Sequence, residues 1–269
     1  MQTAQLFDSL QWYAEMGVDL CVDPLPQTPT LRQTAPLPES NRTATVVQPM
    51  HKPNLVRQDT PPTASLAQAI AEARAAADGA HSLADLETAV RAFTACALRK
   101  TANHTVFAQG VAESDLMLIG EAPGDEEDRS GVPFCGPSGQ LLDKMLAAIG
   151  LSRQTNTYAS NCVFWRPPGN RQPTSDELEI CRPLVEKHIA LVNPRILLLL
   201  GGTAASTFLR DTRGIIRLRG QTYTYHNAYL AAPLPVHVIY HPSHLLRQPI
   251  AKKQAWADLL ALKAALASR

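Results

Sequence analysis

Disulfide-type spacing is missing from this chain. Its five cysteines in 269 residues (Cys21, Cys96, Cys135, Cys162 and Cys181) are scattered singly, which argues against a disulfide framework. No apolar run approaches the roughly 20 residues that a bilayer-spanning helix needs, so no membrane association is expected. Charge of one sign is also lacking. At a formal +1, no global field attracts nucleic acid, and any such partner must be met by a local patch. No G-x-x-x-x-G-K-[ST] stretch occurs, which removes one common phosphate cradle. No signal peptide opens the sequence, and the expectation is a cytoplasmic protein with reduced thiols. What is present in quantity is hydrophobic residues, 45% of the chain and ample for a core.

Glycine is absent from residues 24–62, which hold nine of the 21 prolines among Gln, Thr and Arg. Such a composition cannot pack, and 21–62 reads as a disordered linker. Before it, Leu6, Leu10, Tyr13 and Met16 fall at helical spacing, giving a short amphipathic helix within 1–20. That helix is expected to dock or to bind a protein partner of unknown identity. Beyond the linker, 63–269 reads as the catalytic domain, with its core from about residue 80. Ser65 to Ala77 is Ala-rich and helical, and Ser82 with Asp85 marks another helix start.

Strand-like runs at 115–119, 157–161, 195–200 and 236–240 alternate with helical stretches at 139–149, 175–192, 202–209 and 251–267. That alternation predicts an α/β fold, a three-layer α/β/α sandwich around a four-stranded parallel sheet. The run Ile196 to Leu200 has no polar face, as a strand covered on both sides requires. Thr174 and Glu177 form a capping box for the long helix behind them.

Ligands of open parallel sheets bind beyond the carboxyl ends of the strands, so the loop leaving each strand must supply the site. After the first strand comes "GEAPGDEEDRSGVPFCGPSG", and the second ends at Asn161 before "CVFWRPPGNRQP". "GGTAAS" and "HPSHLLRQP" lie behind the third and fourth. Carboxylates, an aromatic, a carboxamide and an imidazole therefore meet on one rim, from segments more than a hundred residues apart. Singly, Glu121 and Asp125 read equally well as solvated loop acids, Asn161 as a turn cap and His241 as a satisfied core group.

Together, "GEAPGDEEDRSGVPFCGPSGQLLDKML", "SNCVFWRPPGNRQPT" and "HPSHLLR" resemble the uracil-DNA glycosylase superfamily, most closely its family 4, from about Cys96 to the C-terminus. The resemblance implies excision of uracil from single- or double-stranded DNA, leaving an abasic site. A glycosylase for hypoxanthine or xanthine and a non-catalytic DNA-binding relative are the alternatives. It implies Glu121, Asp125 and His241 as catalytic groups, with Glu121 the first choice for handling water because Ala122 stands where other members carry Asp. Glu127 and Asp128 are expected to hold the loop in place. Phe134 would stack on the flipped base and Asn161 would read its O4 and N3–H edge. Leu245 or Leu246 would fill the gap left in the stack, while Arg166, Arg171, His244, Arg247, Lys252 and Lys253 would serve the DNA backbone.

Family 4 members generally hold an iron–sulfur cluster on four cysteines. Here the corresponding positions are Phe93, Cys96, Trp165 and Cys181, so Cys96 and Cys181 read as remnants. With two of four thiolates gone, no cluster or other metal cofactor is expected, and Phe93 and Trp165 should fill the space as an apolar plug. A monomer is expected.

Overall fold

The computed structural model describes residues 64–268; the expected helix in 1–20 and the linker at 21–62 lie outside the described residues. Six strands, β1 (Gln109–Gly110), β2 (Leu116–Gly120), β3 (Thr157–Asn161), β4 (Ile196–Leu200), β5 (Thr222–Tyr225) and β6 (Leu234–Ile239), form one sheet in the order β1-β3-β2-β4-β6-β5. The four inner strands are parallel, as their sequences predict. The sheet is nevertheless mixed and six-stranded, because β1 and β5 add antiparallel edges to β3 and β6. Neither edge carries an unbroken apolar run. β1 is two residues long, and "TYTY" in β5 alternates between solvent and protein.

Helices cover both faces. They are α1 (Ala64–Asp78), α2 (Leu83–Ala92), α3 (Asp125–Ser130), α4 (Pro137–Ala147), α5 (Ser175–Val192), α6 (Gly202–Leu209), α7 (Ile215–Leu218), α8 (Pro242–Arg247) and α9 (Lys252–Ala267). The pleat sends alternate side chains to opposite layers. Met117, Ile119, Leu197 and Leu199 pack with residues of α1, α2, α5 and α6, whereas Leu116, Leu118, Leu198 and Leu200 pack with residues of α4, α8 and α9. Packing starts upstream of residue 80, since Ala69, Ala73 and Ala77 of α1 are buried in the first of these clusters.

Local chemistry sets the helix starts. Ser82 Oγ accepts from the Asp85 amide at 3.1 Å, capping α2. At α5, Thr174 Oγ1 accepts from the Glu177 amide (3.2 Å) while Glu177 Oε2 accepts from the Thr174 amide (2.7 Å), a complete capping box.

Candidate active site

A cleft of about 1130 Å³ opens at the carboxyl ends of the inner strands. Glu121, Ala122, Asp125, Phe134, Asn161, Arg171, His241, His244 and Arg247 line it. Arg166, Leu245 and Leu246 do not.

Asn161 is the last residue of β3, paired in register with Gly120 at the end of β2. Its side chain is 2% exposed, and its Oδ1 has no hydrogen-bond partner among the described residues. A buried carbonyl left unpaired is costly, and such groups call for an explanation. Gly120 makes the arrangement possible. A Cβ there would lie 2.5 Å from Asn161 Oδ1 and 2.6 Å from Phe134 Cζ, so any side chain would separate the amide from the ring.

Phe134 is buried with φ +55°, in the left-handed region that non-glycine residues avoid. Arg153, itself buried, donates to the carbonyls of Pro133 and Phe134 at 3.0 Å each and pairs with Asp143 at 2.7 Å. A Cβ on Gly139 would strike the same Phe134 carbonyl. The ring is therefore fixed from its backbone side, with its centroid 6.3 Å from the His241 imidazole.

His241 caps α8, its Nδ1 accepting from the Ser243 amide at 3.2 Å with the Ser243 hydroxyl 2.8 Å away. An amide can only donate, so the neutral ring carries its proton on Nε2. Burial, then the charge of Arg247, push its pKa from 6.5 to about 4. The ring is neutral at physiological pH.

The two leading carboxylates differ sharply. Glu121 Oε2 accepts from the Thr203 hydroxyl at 2.6 Å, and among the described residues Glu121 has no ion pair. Asp125 accepts from Arg166 at 2.6 Å on one oxygen and pairs with Arg129 on the other. The segment that follows Glu121 is tied down by the acids of α3. Glu127 accepts from the amides of Gly124 and Gly136 at 3.0 Å each, and buried Asp128 accepts from the Asn103 and His104 amides at 2.8 and 3.2 Å.

The expected DNA-contact residues separate in the same way. Leu245 is fully buried and Leu246 is 45% exposed, as neighbours on a helix about 100° apart must be when one faces the core. Leu245 is thus a core residue, and Lys252, also buried, is not a surface cation. Arg171 is held by Glu177 at 2.6 Å and Arg166 by Asp125. His244 stacks on Tyr240 at 4.8 Å, and Arg247 is exposed.

Away from the cleft, Phe93, Cys96, Cys162, Trp165 and Cys181 lie in one buried cluster. Phe93 and Trp165 stack with centroids 6.3 Å apart, and the indole donates to Thr105 Oγ1 at 3.0 Å. Burial holds Cys162 as a thiol, and Cys181 is held so by its hydrogen bond to Cys96, then by burial. This packing does not fit a four-thiolate cluster.

Sequence reasoning passed over Thr203, Ser243 and Arg153. Thr203 and Ser243 stand in the first turns of α6 and α8, just behind strand ends, where a hydroxyl is a usable signal. Arg153 gives no such signal, because it acts through contacts 10 to 44 residues away.

Carboxylate, carboxamide, aromatic and imidazole side chains thus meet at the carboxyl ends of the parallel inner strands, where ligands of such sheets bind. Residues 107–260 match the model of the uracil DNA glycosylase superfamily, and the chain belongs to that superfamily. It is 33% identical over 181 residues to the type-4 uracil-DNA glycosylase of Archaeoglobus fulgidus, covering 66% of this chain and 89% of the relative. Against the type-4 enzyme of Saccharolobus solfataricus it is 35% identical over 185 residues, covering 67% and 84%. The Thermotoga maritima type-4 enzyme is 35% identical over 159 residues, covering 59% and 80%.

Proposed function

We propose that this protein is a DNA repair glycosylase that flips uracil out of DNA and hydrolyses its glycosidic bond. The unpartnered Oδ1 of Asn161, buried beside the Phe134 ring, carries this reading. Uracil N3–H would donate to that oxygen, and the Asn161 amide would donate to O4. Cytosine presents the reverse pattern and would leave buried groups unpaired. Breaking N1–C1′ sends the bonding pair to uracil, where His241 Nε2–H would donate to O2 as negative charge develops. Water oxygen then bonds C1′, and its proton passes to Glu121 and on to solvent or the departing base. Glu121 suits this role because one carboxylate oxygen is fixed by a neutral hydroxyl, whereas both oxygens of Asp125 meet guanidinium groups. Asp125 is read as positioning Arg166, and Leu246 as the wedge that replaces the flipped base.

The test uses the purified full chain on labelled oligonucleotides with U:G, U:A, single-stranded U or hypoxanthine, followed by alkali cleavage at abasic sites. Cleavage at uracil is expected, and Asn161→Asp is expected to lose discrimination between uracil and cytosine. Cleavage only at hypoxanthine would move the assignment to another base. DNA binding without cleavage would mark a non-catalytic relative.

The enzyme is further proposed to work without an iron–sulfur cluster, as a cytoplasmic monomer. Phe93 and Trp165 occupy two ligand positions and stack on each other, an apolar packing that stabilises by about 1.5–3 kcal/mol per large side chain. Anaerobically purified protein is expected to contain far less than stoichiometric iron by elemental analysis. A full complement would overturn the proposal.

A further inference from the structure

α6 carries three hydroxyl side chains, Thr203, Ser206 and Thr207, and only the first of them bonds outside the helix. Ser206 Oγ and Thr207 Oγ1 both donate to the Thr203 carbonyl, at 3.1 and 2.8 Å, the local back-bonding usual for such residues within a helix. Thr203 stands in the first turn, and the residue four before it is Leu199 of β4, so no helical carbonyl lies behind it. Its hydroxyl reaches Glu121 instead, donating to Oε2 at 2.6 Å from 82 residues away.

The turn that carries Thr203 is itself fixed. Gly201 has φ +93°, and its amide donates to the Ile239 carbonyl at 2.9 Å. A Cβ on Gly201 would lie 2.9 Å from that of His241, so the β4–α6 turn is seated directly against the imidazole-bearing residue. Glu121 is held by little else. It follows Gly120, the last residue of β2, and among the described residues its carboxylate has no second hydrogen-bond or ion-pair partner. The bond from Thr203 brings it to the amino end of α6, where negative charge is favoured.

We infer that Thr203 is a positioning residue for excision, holding one oxygen of Glu121 so that the other is aimed at the attacking water. This rests on reading Glu121 as the group that receives the water proton. A free glutamate side chain populates several rotamers, and few of them present an oxygen to one fixed point. Holding one oxygen in advance removes that search from the chemical step. Thr203 makes no contact with the base in this scheme. Loss of its hydroxyl therefore acts on the rate and spares DNA binding.

The experiment measures single-turnover excision from U:G duplex at varied excess of the full-length enzyme. Valine and alanine at 203 both remove the donor, valine keeping the branched shape and alanine adding no bulk. Thr203→Val and Thr203→Ala are each expected to lower the saturating rate by about 10- to 100-fold, with the half-saturating enzyme concentration within about twofold of wild type. Thr203→Ser, which restores the donor, is expected to lie within about threefold of wild type. On a Glu121→Ala background Thr203→Val should cost less than about twofold, because no carboxylate remains to be aimed. A wild-type rate in both Thr203→Val and Thr203→Ala overturns the inference. So does an equal loss in Thr203→Ser, or a loss undiminished on the Glu121→Ala background, since either marks a role in packing. Weakened DNA binding in parallel with the slower rate overturns it too. Full activity of Glu121→Ala defeats the reading of Glu121 itself, and the inference falls with it.

Discussion

Replacing His241 with alanine is expected to slow single-turnover uracil excision by roughly 10²–10³-fold, the range for removing one donor aimed at developing negative charge. DNA affinity should stay within about twofold, because the lost contact strengthens mainly in the transition state. The geometry also sets the pH response. Ser243 occupies Nδ1, so the donor is Nε2–H of a neutral ring whose pKa lies near 4. His241 should therefore add no inflection to the rate profile above about pH 5. Stability behaves differently. The unfolded ring binds its proton near 6.5 and the folded one only near 4, so the contribution is complete above 6.5 and is lost as pH falls through that window. His188, stacked 4.3 Å from Phe107 with its pKa pushed down to about 3 by burial, adds to the loss with the same sign. Full activity of His241→Ala under single-turnover conditions would show that the imidazole is not the donor.

The central sheet was legible because its signals are local. β2 and β4 are short apolar runs, β3 and β6 short β-branched and aromatic or aliphatic ones, and parallel topology brings the loops that leave them together. The edge strands were not legible, since β1 is only two residues long and the side chains of β5 alternate with solvent instead of forming an apolar run. The same division runs through the site. Asn161 and His241 stand at strand ends and announce themselves. The difference between Glu121 and Asp125 does not, because Arg166 reaches Asp125 from 41 residues away and Thr203 reaches Glu121 from 82. Choosing between Leu245 and Leu246 required the helix phase relative to the core, which a six-residue segment does not fix by itself. The N-terminal "ASLAQAIAEARAAAD" suggested a helix but not its burial, since alanine is compatible with both core and surface.

Arg153→Met should be the most destabilising of these substitutions. The guanidinium is 4% exposed and is shared among Asp143, Gln109 and the carbonyls of Pro133 and Phe134. Methionine fills much of the volume but donates to none of them. Removing one partner of a buried ion pair typically costs about 3–5 kcal/mol. Asp143 is 39% exposed and can regain water, which places the expected loss toward the lower end of that range. The two carbonyls cannot be rehydrated so readily, and they lie on the segment that holds Phe134 at φ +55°. Without their donors the segment loses the contacts that oppose its backbone strain, and the ring should leave its place beside Gly120 and Asn161. Urea unfolding should show the stability loss as a lower midpoint with unchanged slope. Excision assayed well below that midpoint should show weaker substrate binding together with slower turnover. Asp143→Asn separates the two effects, because it weakens the ion pair while leaving Arg153 free to hold both carbonyls. It should cost less stability and keep most of the activity. If Asp143→Asn and Arg153→Met impair excision equally, the arginine acts through the ion pair and not through the Phe134 backbone.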